Sequence, residues 1–145
     1  MRRLIPENLT FRHTVPVQLR FNDADALGHI NNNAYFAFYD IGKTTYFDAV
    51  YGQYLPPHEI EWVVAHAEID FLKPIFLPDT IAVQTAVSHI GHKSFNLAQR
   101  IVDEKGEIRS EYRSVMVGFD FGQNAAAPIP QVWRDRFSLF EGRKF

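Results

Sequence analysis

Apolar and polar positions alternate from Val15 to Asp23, where Val15, Val17, Leu19 and Phe21 are apolar and the residues between them are mostly polar. A period of two predicts a half-buried strand. Pro16 near its start predicts an edge or strand-entry position, because proline cannot donate to a ladder. A loop with Gly28 at its bend then leads into Asn31, Asn32 and Asn33. Any of these three can cap a helix by accepting a backbone N–H bond. From about Ala34 to Val50 the apolar residues Tyr35, Phe36, Phe38, Tyr39, Ile41, Tyr46, Phe47 and Val50 cover more than one helical face. A helix that apolar has to be enclosed on several sides by the rest of the fold.

Alternation returns from Trp62 to Leu72, with Val63, Ala65, Ala67, Ile69 and Phe71 on one face and Val64, His66, Glu68 and Asp70 on the other. Ile81, Val83, Thr85 and Val87 define a third strand, and Phe95, Leu97 and Ile101 a fourth. After a turn at Asp103-Glu104-Lys105-Gly106, a fifth strand runs from about Ile108 to Phe121. Pro128 and Pro130 precede a short helix from Gln131 to Phe140. One strand, one long helix and four consecutive antiparallel strands predict an α+β fold, a curved sheet of about five strands wrapped around a central helix. Such a layer leaves the outer sheet face and strand edges partly uncovered, which predicts a homodimer or larger assembly. The 145 residues read as a single domain, with a core from about 14 to 121 and a C-terminal extension over 122–145.

Composition narrows the function classes. With 46% hydrophobic and 22% charged residues, and with 13 Phe, 6 Tyr and 2 Trp, the chain has the apolar surface that a packed core needs. Its net charge of −2 provides no global field for gathering nucleic acid or anionic lipid. Cysteine is absent, so disulfides, thiolate metal sites and a cysteine nucleophile are excluded. The N-terminal Met1-Arg2-Arg3-Leu4-Ile5-Pro6-Glu7 lacks the apolar run of a secretory signal. No window approaches the roughly 20 apolar residues of a membrane span. A cytoplasmic protein is the expectation.

The chemistry concentrates between Arg20 and Tyr35, where Asp23, Asp25, His29 and the start of the long helix lie within sixteen residues. Helix N-termini present free N–H groups and a positive dipole end, suited to an anion or a developing oxyanion. A carboxylate just upstream can attack a carbonyl, or activate water, while those N–H groups polarise the carbonyl oxygen. Asp and Asn are also ordinary loop and cap residues, so the spacing by itself leaves a structural role open. Asp23 reads as a loop anchor or partner of Arg20, and Asp40 as the i,i+3 partner of Lys43. His89 and His92 have no third ligand at a recognisable spacing, so no metal site is expected.

The stretch Arg20-Phe21-Asn22-Asp23-Ala24-Asp25-Ala26-Leu27-Gly28-His29-Ile30-Asn31-Asn32-Asn33-Ala34-Tyr35 resembles the signature of the hotdog-fold acyl-CoA thioesterases. The nearest branch is the 4-hydroxybenzoyl-CoA thioesterase family. Ile69 to Pro74 followed by Asp79, Gly91-His92-Lys93-Ser94-Phe95, and the last strand from Arg113 to Asp120 extend the likeness over roughly residues 14 to 121. The resemblance implies a hotdog fold and thioester hydrolysis of acyl-CoA. In it Asp25 is the catalytic carboxylate, nucleophile or general base, and the helix-start N–H donor falls near Asn32, with His29 beside them. It further implies a site at a dimer interface, with pantetheine threading between the subunits of a homodimer or homotetramer. Gly28, Asn31 and Tyr35 are the expected substrate contacts near Asp25. Lys93, Ser94 and Phe95 are those expected at the nucleotide end. No metal and no bound organic cofactor is implied, since coenzyme A arrives with the substrate. Relatives that place histidine where this chain has Asn32, or a Glu in the central helix where Asp40 is closest, leave the partner of Asp25 open. Two rival functions stand: a hydratase or dehydratase on acyl-CoA or acyl carrier protein, with His29 as local base, and an acyl-CoA-binding protein without turnover.

Overall fold

The structure, a computed structural model, describes residues 3–145. Strand β1 (His13–Val17) and a single-turn 3-10 helix (Phe21–Asp23) lead into helix α1 (Asn32–Tyr51). The long strands β2 (Trp62–Phe71), β3 (Ile81–Ile90), β4 (Ser94–Asp103) and β5 (Ile108–Asp120) follow. The short β6 (Ala125–Ala126), which the pattern did not reveal, and helix α2 (Gln131–Glu141) complete the order. The sheet is antiparallel in the order β1-β3-β4-β5-β2, with β6 beside β5. This is the expected α+β layer, and β1, the strand holding Pro16, lies at an edge.

The first strand ends earlier than its alternation predicts. It stops at Val17, and Phe21, counted as an inward residue, is 83% exposed. The cause is local: Asp23 accepts the Arg20 N–H at 2.9 Å and the Arg20 guanidinium at 2.9 Å, and the Asp23 N–H donates to the Arg20 carbonyl. These bonds fold the chain into a 3-10 turn instead of prolonging the ladder.

Helix α1 lies against the sheet through Tyr35, Phe38, Tyr39, Gly42, Tyr46, Phe47 and Val50. Gly42 marks the closest approach, since a Cβ there would collide with Val83 Cγ1. Gln99, fully buried on β4, donates to the Tyr39 carbonyl and to the Thr85 hydroxyl, pinning helix to sheet. The helix ends at Gly52, whose φ of +96° suits glycine and whose N–H bonds the Asp48 carbonyl. Enclosure is less complete than expected, because Phe36 and Ile41 are 43% and 44% exposed on the opposite face.

The alternation expected along β2 needs a similar correction. A β-bulge between Val64 and His66 breaks its alternation, and Val63 and Val64 are exposed along the free sheet edge. The C-terminal extension, by contrast, is part of the core. Trp133 and Phe137 of α2 are fully buried with Tyr46, Phe47, Trp62, Phe95 and Met116. A second cluster around Tyr35, Phe38, Tyr39, Ile75 and Ile101 underlies the first half of α1. Among the described residues no helix is long and apolar enough to cross a membrane.

Candidate active site

The loop between the 3-10 turn and α1 is shaped by Asp25 itself. Its Oδ1 accepts the N–H groups of Leu27 at 2.8 Å and His29 at 3.1 Å. Its main chain pairs with the His29 carbonyl at 2.7 Å. Gly28 makes the bend at φ +82°, where a side chain would be strained, and its N–H donates to the Asp25 carbonyl. Asp25 Oδ2 has no protein donor among the described residues.

The loop then meets the helix start. The Asn31 N–H is taken by the Asp23 carbonyl at 2.8 Å, and the Asn31 carbonyl accepts the Ala34 N–H at 2.9 Å. Asn31 is thus the N-cap by position, and the helix begins at Asn32, ahead of the expected Ala34. Among the described residues no side chain caps it. The first N–H groups of a helix have no intrahelical acceptor, so those of Asn32 and Asn33 remain available to a ligand.

These features open onto one solvent-accessible cleft of about 400 Å³, lined by Asp25, His29, Ile30, Asn31, Asn32, Tyr35, Phe71, Leu72, Lys73 and Pro74. Asp25, Asn31 and Asn32 are exposed, while Tyr35 is buried with its ring edge-on to Phe71 at 4.9 Å. Burial pushes the Tyr35 phenol up, so the group is neutral at physiological pH. The His29 ring packs edge-on against Phe76 at 4.9 Å. Asp40 lies outside the cleft, paired with Lys43 at 3.2 Å.

Five of the nine sequence-selected site residues, Asp25, His29, Asn31, Asn32 and Tyr35, therefore share one cleft. Gly28 shapes the loop and is not in the lining. The second group stands elsewhere. Ser94 pairs with Val117 on β5, whereas Phe71 at the cleft pairs with Ser110. Seven residue steps of β5 separate those levels, about 23 Å at 3.3 Å per residue. Lys93 and Ser94 thus occupy the opposite end of the sheet from Asp25 of the same chain. Phe95 is fully buried against Phe47, Trp62 and Phe137, so it is a core residue and not a surface contact. The cleft wall at Phe71, Leu72, Lys73 and Pro74 was not singled out as a site from the sequence, although these residues carry part of the motif likeness.

Among the described residues no group of three or more His, Asp or Glu is arranged to hold a metal ion. Two cations of the sheet already have partners: Arg113 bonds Glu68 at 3.1 Å, and Arg100 bonds Gln84 at 2.6 Å with its guanidinium against the Phe11 ring. Both are engaged on the sheet.

Residues 19–137 match the thioesterase-like superfamily. The chain belongs to that superfamily. Among thioesterase-like proteins, the acyl-CoA thioester hydrolase YbgC of Escherichia coli O6:H1 is 26% identical over 107 residues, 72% of this chain and 80% of that protein. A thioesterase from Thermus thermophilus, solved in complex with coenzyme A and Zn, superposes with a TM-score of 0.83 at 30% identity, covering 93% of this chain and 98% of that one. The PA5185 protein from Pseudomonas aeruginosa PAO1 gives a TM-score of 0.75 at 26% identity, covering 90% and 92%. The sheet wrapped around α1 is the hotdog arrangement of this superfamily.

Proposed function

We propose that the chain hydrolyses acyl-CoA thioesters to the free acid and coenzyme A. Asp25 is the attacking or water-activating carboxylate, and the N–H of Asn32 receives the oxyanion. One observation carries this reading: a carboxylate oxygen without a protein donor and an uncapped helix start open onto the same cleft. As the thioester carbonyl is attacked, negative charge grows on its oxygen. The helix-start N–H groups and the positive dipole end meet that charge without having to reorganise. The thiolate of coenzyme A then leaves, and water supplies the remaining oxygen of the acid. The superfamily relationship, and the relatives named for acyl-CoA hydrolysis and for coenzyme A binding, support the substrate class.

The working unit in this reading is a homodimer paired along the free edges of β2. Antiparallel pairing across a two-fold axis sets the start of one β2 beside the end of the other. It carries the partner's Lys93 and Ser94 toward Asp25. It also brings the partner's apolar cavity of about 220 Å³, lined by Phe47, Leu55, Trp62 and Met116 among others, to receive the acyl group.

The test is free-thiol release from short, long and aromatic acyl-CoA esters, for which the cysteine-free chain contributes no background. Asp25→Asn is expected to lower turnover by about 10²–10⁴-fold, the usual cost of losing a general base. A variant with normal kcat overturns the role of Asp25. Esters that bind without releasing thiol overturn the hydrolytic reading.

A further inference from the structure

The cleft wall from Phe71 to Pro74 continues into a loop that braces the catalytic segment. The Ile30 N–H donates to the Ile75 carbonyl at 2.8 Å, and the Leu77 N–H to the Gly28 carbonyl at 3.1 Å. His29 and Phe76 face each other across this short antiparallel bridge, ring against ring. The position of the His29 ring is thus set by residues 75–77.

That loop is in turn held by one residue of β5. The Arg109 carbonyl accepts the N–H groups of both Leu72 and Lys73, at 3.0 and 3.1 Å. Its Nη1 reaches the Pro74 carbonyl at 2.6 Å and Asp79 Oδ2 at 3.0 Å. Its Nε and Nη2 bond Asp103 Oδ2 on β4, at 3.1 and 3.0 Å. Asp79 passes the grip on by accepting the Phe76 N–H at 2.8 Å. The Arg109 side chain is largely buried, 15% exposed, and its guanidinium lies between the two carboxylates. A planar fork satisfied on both sides fixes direction as well as distance. Arg109 touches the loop at both ends, 74 and 79, and the sheet at 103, and it does not line the cleft.

We infer that Arg109 is a positioning residue for the Asp25–His29 site, setting the His29 ring and the Leu72–Pro74 wall through the 74–79 loop. The inference rests on the hydrolytic reading of that cleft for its kinetic consequence and on the loop geometry alone for its structural one. Misplacing a site by about 1 Å from a distance can cost about 10²-fold in rate. Arg109→Met is expected to lower kcat by roughly that factor with KM little changed. Arg109→Lys is expected not to restore it, because an ammonium keeps the charge but loses the fork. Asp79→Asn, which weakens only the loop side, is expected to lower kcat in the same sense. The double variant Arg109→Met/Asp79→Asn is expected to be no slower than Arg109→Met, because both act through one contact.

The experiment measures wild-type thiol release first, then kcat, KM and the pH–rate profile of these variants. In parallel, proton NMR reads the His29 ring signals, which the edge-on Phe76 ring displaces. The expected result is a lower kcat, a shifted limb of the pH profile and loss of the ring-current displacement. A merely structural role lowers the denaturation midpoint yet leaves the profile and the His29 signals as in wild type, which overturns the inference. If Arg109→Met does not fold, Asp79→Asn decides alone. If wild type releases no thiol, the hydrolytic reading fails, while the His29 signals still decide whether Arg109 sets the loop.

Discussion

Asp23 and Asp25 lie two residues apart in one loop and have opposite surroundings. Asp23 is 4% exposed, and its hydrogen bond from the Arg20 guanidinium holds its carboxyl below the usual carboxylate range. Asp25 is exposed to the cleft. A carboxyl whose folded-state value is depressed contributes stability that is complete above its unfolded value and is lost as pH falls through the folded one. Below about pH 4 the Asp23 strut weakens, and Asp23→Asn is expected to flatten the acid limb of a stability–pH profile measured by urea unfolding. Glu141 has the reverse sign. Burial pushes its carboxyl up despite bonds from Tyr46 at 2.5 Å and the Val87 N–H at 3.2 Å. Its contribution is complete below about pH 4.5 and declines as pH rises through the raised folded-state value. Glu141→Gln is expected to remove that decline, and a wild-type-like pH slope in the variant rejects the assignment. Gly42 shows a purely steric constraint. Gly42→Val drives a branched side chain into Val83, and urea denaturation should register a loss of about 1–3 kcal/mol from overpacking.

At the level of elements, the C-terminal helix has more influence than its length predicts. Trp133 and Phe137 stand one turn apart on α2 and contact Trp62 of β2 and Phe95 of β4, so α2 closes the core where α1 ends. Phe137→Ala is expected to cost about 3–5 kcal/mol, the range for deleting a buried aromatic ring. Leu139 on the same helix is 84% exposed, and Leu139→Ala should change stability by less than about 0.5 kcal/mol. Equal losses at the two positions in denaturation curves would show that α2 is not docked as described. Strand β2 differs in kind: paired on one side only, it places Val63, Val64 and Phe71 in solvent.

At the scale of the whole molecule, an exposed apolar edge strand is a template for pairing, which native chains cover or blunt with charge. In the proposed dimer the edge is covered by a second copy, and the two separated groups, Asp25 with its neighbours and Lys93 with Ser94, meet across the subunits. Val64→Lys puts a charge on that edge. Sedimentation is expected to show a monomer, and thiol release is expected to fall in proportion. A monomer with full activity, or an undisturbed dimer, argues against β2 as the interface.

The order of elements was legible because periods of two and of nearly four are local properties, written by each side chain's affinity for water. The cleft residues from Asp25 to Tyr35 were legible for a related reason: they are contiguous, so one loop and one helix start bring them together. Where a local bond competed with the pattern, the pattern failed, as at Arg20 and Asp23, whose pairing ended β1 at Val17. The sequence by itself determined the α+β layering, the closeness of Asp25 to the start of α1 and the absence of any cysteine nucleophile. Tertiary structure alone decided that Phe95 is core, that Lys93 lies at the far end of the sheet, that β2 is a bare edge, and that Arg109 braces the site from β5. The physical reason is one of range: strand order and register bring together residues 30 or more positions apart, as Arg109 and Asp79 are, and no period in the chain encodes which strands become neighbours.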